Sequence, residues 1–300
     1  MSRIYLTQLS FGSTRRQRVT LLSFLLLIPF LVSCEKAEIL SCDTQTLVVE
    51  GWIASNEHPV VMLTTNVAVS TSHTDNEALL QHLMRYARVT ISDGDKEVVL
   101  IGKHDKRYMP PYIYTTTDMV GMAGRQYMLT ASVDTFYATA ITTIPESVEI
   151  DSISQGMVEG NDSVRKLYVN FLDPTVENHY CLFYRTGKYS PQLNLCGVGV
   201  FSDANLAGNV RYPVYRTANL SERYDNSFDV FNVGDTVCVQ LTTVDRQSFQ
   251  FWNDFQNLSS LSGNFVMPYT KNIRSNINGG KGYWSGFGIS RRILVVGEEK

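Results

Sequence analysis

The chain has 300 residues, with 26 Lys+Arg against 29 Asp+Glu and a formal net charge of −3. Arg3, Arg15, Arg16 and Arg18 all precede residue 34, so residues 34–300 carry 22 cations against 29 acids, about −7. Such a surface excludes binding to DNA or RNA phosphates, which needs clustered cations. The 16 Tyr and 14 Phe, with frequent Ser, Thr and Val, favour β-sheet with exposed hydroxyls over helical bundles.

The first 33 residues contain no Asp or Glu. Their basic head is followed by the apolar run VTLLSFLLLIPFLV at 19–32. That run is too short to cross a hydrocarbon core, which takes about 20 helical residues. A basic head before a short apolar core predicts a secretory signal peptide over 1–33. Leu31, Val32 and Ser33 ahead of Cys34 fit a lipobox, with signal-peptidase cleavage between Ser33 and Cys34. The Cys34 thiol then receives a diacylglycerol and its amine a further acyl chain such as palmitate; stable anchoring takes more than one chain. Arg15-Arg16 is shared with twin-arginine signals, but Arg18 stands where those want an apolar residue, so the general secretion route is expected. Residues 34–44 are polar and read as a tether.

A first β domain is predicted over 45–145, as an immunoglobulin-like sandwich. TLVVEGWIA (46–54) and HPVVMLTT (58–65) are β-rich runs around a turn at 55–57. In NEALLQHLMRYA (76–87), Leu79, Leu80, Leu83, Met84 and Ala87 recur at helical spacing, which predicts a short amphipathic helix. The stretch 88–102 is a hairpin around Asp93-Gly94. Asp93, Asp95 and Glu97 are explained by a solvated turn, since Gly94 is misplaced for an EF-hand loop. Pro110 and Pro111 make 108–117 an edge or a loop. Strands are predicted within 124–145, and Pro145 closes the domain.

The second domain, 146–300, is predicted to be β-rich with one short aromatic helix. VEIDSIS, VRKLYVNFLD, HYCLFYRTG and TVCVQLTTV read as its strands. The Gly-, Asn-, Ser- and Tyr-rich stretch 187–227 reads as a long functional or mobile loop. DRQSFQFWNDFQNL (245–258) is the helix, with Phe251, Phe255 and Leu258 on one face and Phe249 and Trp252 alongside; such stripes are more often core than ligand site. A glycine-rich turn then enters a terminal strand.

Cys42, Cys181, Cys196 and Cys238 allow two disulfides in an exported chain, with Cys181–Cys196 the expected pair; the alternative is four reduced, partly buried thiols. The five histidines have no metal-ligand spacing, and no CxxC occurs. No GxSxG elbow is present. SVRK (163–166) matches SxxK but begins a strand, and GGKGYWSG (279–286) lacks the P-loop frame. No catalytic residue, cofactor or metal is expected. Aromatics in or near loop-like stretches are the candidates for stacking on a ligand such as a sugar: Tyr108, Tyr112, Tyr114, Tyr212, Tyr215, Tyr283 and Trp284; the alternative is that such rings fill cores and edges. DSI, DSV and DTV at 151–153, 162–164 and 235–237 resemble an O-glycosylation acceptor pattern.

LVVEGWI (47–53), VTISDG (89–94), AGRQYMLTASV (123–133), GDTVCVQLTTVDRQSFQFW (234–252) and SNINGGKGYWSGFGIS (275–290) occur in that order. Together they resemble the Bacteroidota envelope lipoproteins grouped as domain of unknown function 4249, over about residues 34–296. The resemblance implies an outer-membrane lipoprotein acting beside TonB-dependent transporters, and carries over no catalytic residue. The expectation is therefore a non-enzymatic accessory lipoprotein, anchored at the outer membrane through Cys34. It would partner such a transporter or bind its ligand, with the cell-surface face favoured. The alternative is a structural or adhesive, fimbria-like lipoprotein with a donated strand at 291–296. An unrecognised hydrolase stands third.

Overall fold

Leu47, Val49 and Ile53 alternate with Val48, Glu50 and Trp52. In the computed structural model this alternation becomes β1 (Leu47–Ala54), whose first set is fully buried. The structure describes residues 45–66, 80–187, 193–206, 208–216, 229–261 and 273–298. The expected signal peptide, Ser33, Cys34, the tether and residues 76–79 lie outside them.

The chain is mainly β. The strands after β1 are β2 (Val60–Thr65), β3 (Arg88–Ser92), β4 (Glu97–His104), β5 (Tyr112–Thr115), β6 (Gln126–Val133) and β7 (Phe136–Thr143). Then come β8 (Ile150–Val158), β9 (Asn161–Asp173), β10 (His179–Thr186), β11 (Asn194–Ser202), β12 (Gly208–Val214), β13 (Phe231–Asn232), β14 (Thr236–Val244) and β15 (Lys281–Val295). One long helix, α1 (Arg246–Leu261), lies between β14 and β15. An 11-stranded sheet has the order β11-β10-β14-β15-β1-β2-β5-β4-β3-β6-β7. It is mixed, because β1 runs parallel to β15. A 4-stranded sheet is built on β9, flanked by β8 on one side and β12 and β13 on the other.

β15 joins the two halves. Its first part pairs with β1 and its second with β14. Trp284, Gly286, Ser290 and Leu294 point to one face, and Tyr283, Phe287, Ile289 and Arg291 to the other. On the first face the large sheet curls until β7 returns to β15. Asn278 bridges Thr139, and Gly286 N–H donates to Thr142 Oγ1 (2.7 Å). Trp284 is enclosed there with Leu47, Val49, Leu63, Tyr127 and Leu129. Two glycines permit this closure. A Cβ on Gly51 would stand 2.9 Å from the Trp284 ring, and one on Gly286 2.4 Å from the Thr143 carbonyl oxygen. Farther along the same face the small sheet covers the large one. Leu167, Val169 and Phe171 of β9 meet Tyr180, Leu182, Val239 and Leu241 in a second core. Residues from Thr44 onward form one compact unit, with its first core drawn largely from residues before 145 and its second from residues after it.

Three expectations change. The stretch 187–227 contains β11 and β12 within its described residues, and its Gly, Asn and Ser content hides them from a periodicity search. β5 lies inside the large sheet, between β2 and β4, and is not an edge. Both prolines precede it, so its ladder N–H groups are intact. Finally, the described part of 76–87 leaves helical geometry by Leu83. β2 pairs with β5 only through Val60 and Val61, so its later backbone is open. Residues 82–84 fill that opening, with Thr65 N–H bonded to the His82 carbonyl (2.9 Å) and Met84 N–H to that of Leu63 (3.0 Å).

Candidate functional site

The other face of β15, with β1 and β14, floors a cleft of about 320 Å³. Helix α1 stands over this face. Asp245 caps it, accepting from Ser248 N–H (2.7 Å) through Oδ1 and from Thr142 Oγ1 (2.8 Å) through Oδ2. Farther along the helix, the buried Asp254 carboxylate holds the Arg274 guanidinium (2.6 and 2.8 Å). Val200 N–H donates to Gln256 Oε1 (2.9 Å), which ties the helix to β11. These anchors bring Trp252 edge-on to Phe183 (centroids 5.7 Å apart) and beside Tyr283 (5.1 Å). Trp52 and Tyr108 meet at 6.0 Å on another side of the cleft.

Two carboxyl groups line the cleft, those of Glu50 and Glu57. Glu50 of β1 accepts a hydrogen bond from the Tyr283 hydroxyl (3.0 Å). Burial pushes the Glu50 carboxyl above the ordinary glutamate range, with the Tyr283 bond opposing it. Burial, aided by Glu50, likewise raises the Tyr283 hydroxyl well above the tyrosine range. The cationic side chains of the cleft are occupied elsewhere. Arg291 donates to Gln240 and to the Glu57 carboxylate. Arg107 is paired with Asp105 (2.6 Å), and that bond is the main cause holding the Asp105 carboxyl down at about 2. The buried Trp252 Nε1–H has no hydrogen-bond partner among the described residues.

Of the aromatics picked from sequence, Tyr108 and Tyr283 line this cleft, whereas Tyr114 is buried in β5 and donates to the Met84 carbonyl (2.6 Å). Trp284 does not line it: it is wholly buried and its Nε1–H donates to the Tyr127 carbonyl (3.0 Å), so it is core. Tyr112 lies in β5 and donates to the Arg85 carbonyl (3.0 Å). Tyr212 stacks on Phe201 (3.9 Å), and its hydroxyl, pushed up to about 12 by burial, donates to the Val198 carbonyl (2.7 Å). The Tyr215 carbonyl accepts from Gly197 N–H (3.2 Å), at the same end of the small sheet. The sequence reading missed Glu50, Trp52, Phe183, Trp252 and Arg291 as cleft residues. Their signal was faint: Glu50 and Trp52 take the nominally exposed positions of an alternating strand, where a lone Trp is informative.

Cys181 and Cys196 are not joined; both are free and buried, as is Cys238. The pairing fails because the two thiols lie on opposite faces of the sheet. Cys181 packs with Phe183 and Phe287, whereas Cys196 packs with Tyr180 and Leu182. The acids at 93 and 95 both meet Arg125 (2.7 and 2.9 Å), and Asp93 also caps its own turn. Among the described residues no three His, Cys, Asp or Glu side chains converge as a metal site. No described helix is long and apolar enough to cross a membrane.

The fold and cleft thus define a mainly β protein with an aromatic-walled, small-molecule-sized cleft at the junction of its two halves. The family model described as "Domain of unknown function (DUF4249)" matches residues 33–293, and the chain belongs to that family. No curated protein matches the chain.

Proposed function

We propose that the chain is a non-enzymatic accessory lipoprotein of an outer membrane, anchored through acyl chains on Cys34. It captures a small ligand in the Glu50–Tyr283 cleft and serves a TonB-dependent transporter. The observation that carries the capture step is the cleft itself: its volume falls at the lower end of the roughly 300–1,000 Å³ of ligand pockets, and aromatic rings surround a few polar groups. The anchor rests on the basic head, the apolar run and the lipobox ending at Cys34. The immunoglobulin-like description of 45–145 belongs to this proposal, resting on the succession of short, alternating strands β1–β7 around one core. The adhesive alternative needs residues 291–296 as an exchangeable strand. Here residues 291–295 are the end of β15, an interior strand that also carries Trp284 into the first core, which favours the accessory reading.

The test is an affinity pull-down of tagged protein from detergent-solubilised outer membranes, read by mass spectrometry. A stoichiometric TonB-dependent transporter is the expected partner. Recovery of the protein alone, or only with copies of itself, overturns the accessory role.

A further inference from the structure

We infer that the cleft is built for an organic cation: a ligand whose ammonium group, with small apolar substituents, sits between Trp52 and Trp252 and is countered by the Glu50 carboxylate. This deepens the capture reading above and rests on it. Three observations converge. First, the charges of the cleft do not cancel evenly. Arg291 is bound to Glu57 and Arg107 to Asp105, but among the described residues no cation reaches Glu50, whose partner is the neutral Tyr283 hydroxyl. Second, the walls are aromatic, with Trp52, Tyr108, Phe183, Trp252 and Tyr283 all lining the space, and the Tyr108 ring already carries a cation, the Arg107 guanidinium 5.9 Å from its centroid. Aromatic faces carry negative quadrupole potential, so they attract cations and repel anions, most strongly for Trp. Third, a half-buried carboxylate without a counter-charge is costly. A cationic ligand removes that cost, whereas an anionic one would have to break an existing arginine pair. A neutral sugar could stack on the same rings but would leave Glu50 uncompensated.

The experiment uses the full chain and tryptophan fluorescence, since Trp52 and Trp252 line the cleft while Trp284 reports from the core. The probes are choline and 3,3-dimethyl-1-butanol, its uncharged isostere, with glucose as a neutral sugar control. Choline is expected to give a saturable change, and the isostere to bind at least about tenfold more weakly. Glu50→Gln is expected to weaken choline about tenfold and to leave the isostere unchanged. Trp52→Leu, which keeps Glu50, should also lose choline. Equal binding of choline and its isostere, or tighter binding of glucose, overturns the cation assignment but leaves the cleft a ligand site. If no probe changes the fluorescence, the cation assignment falls as well, and the pull-down then decides the accessory role separately.

Discussion

The two tryptophans at 252 and 284 make opposite predictions under the same conservative change. Trp284→Phe removes part of an indole enclosed on all sides and deletes its Nε1–H bond to the Tyr127 carbonyl. Losing a few buried ring carbons costs about 2 kcal/mol. The lost Nε1–H bond adds about 1 kcal/mol. The expected loss is therefore about 3 kcal/mol, or roughly 6–12 °C in Tm for a unit of this size. Trp252→Phe removes an indole N–H that has no partner among the described residues, from a half-buried ring beside the cleft. Deleting an unsatisfied donor is close to neutral, so its cost should stay under about 1 kcal/mol. Urea unfolding followed by far-UV circular dichroism measures both variants on one baseline. Equal losses, or a Trp284→Phe protein as stable as the parent, would refute the placement of Trp284 as the centre of the first core.

Four further outcomes are expected. Burial raises the Glu50 carboxyl above its ordinary value of 4.5, so folding takes up a proton between the unfolded and folded pKa values, and Glu50 makes stability fall as pH rises through that window. Glu50→Gln should thus gain stability relative to the parent above the window and converge with it in acid; a gap that widens in acid would contradict this. Asp245→Ala removes the α1 cap and the tie to Thr142, and should cost about 1–2 kcal/mol in thermal unfolding, whereas Asp245→Asn should recover part of it. Gly286→Ala drives a Cβ against the Thr143 carbonyl and should destabilise by at least about 1–3 kcal/mol; a wild-type Tm would disprove the close approach of β7 to β15. Cys181 and Cys196 should be titrated by a thiol reagent only after unfolding, and reductant should leave Tm unchanged; a reductant-sensitive Tm would restore the disulfide.

Much of the fold was legible because its signals are local. The alternation of 47–54 and of 164–173 marks half-buried strands, and the aromatic stripe of 245–258 marks α1. What escaped is non-local. β11 and β12 owe their place to pairing with β10 and β9, not to composition. β5 is interior because β2 and β4 close on either side of it, a fact absent from YMPPYIYT itself. The cleft escaped for the same reason. Glu50 and Tyr283 are 233 positions apart and meet through the parallel β1–β15 register. The sequence offered both Tyr283 and Trp284 of GGKGYWSG as ligand-facing rings, and one residue of register decides between them. In a strand, Tyr283 and Trp284 must face opposite ways, and the sheet assigns the cleft to Tyr283.

The proposed capture of a small ligand between α1 and the β1–β15 floor is tested most directly by native mass spectrometry of the protein isolated from its native cells, alongside Trp52→Leu/Trp252→Leu. The parent should carry the mass of a bound small molecule and the folded double variant should not. The same ligand mass on both proteins, or on neither, would contradict the cleft as the working part of the molecule.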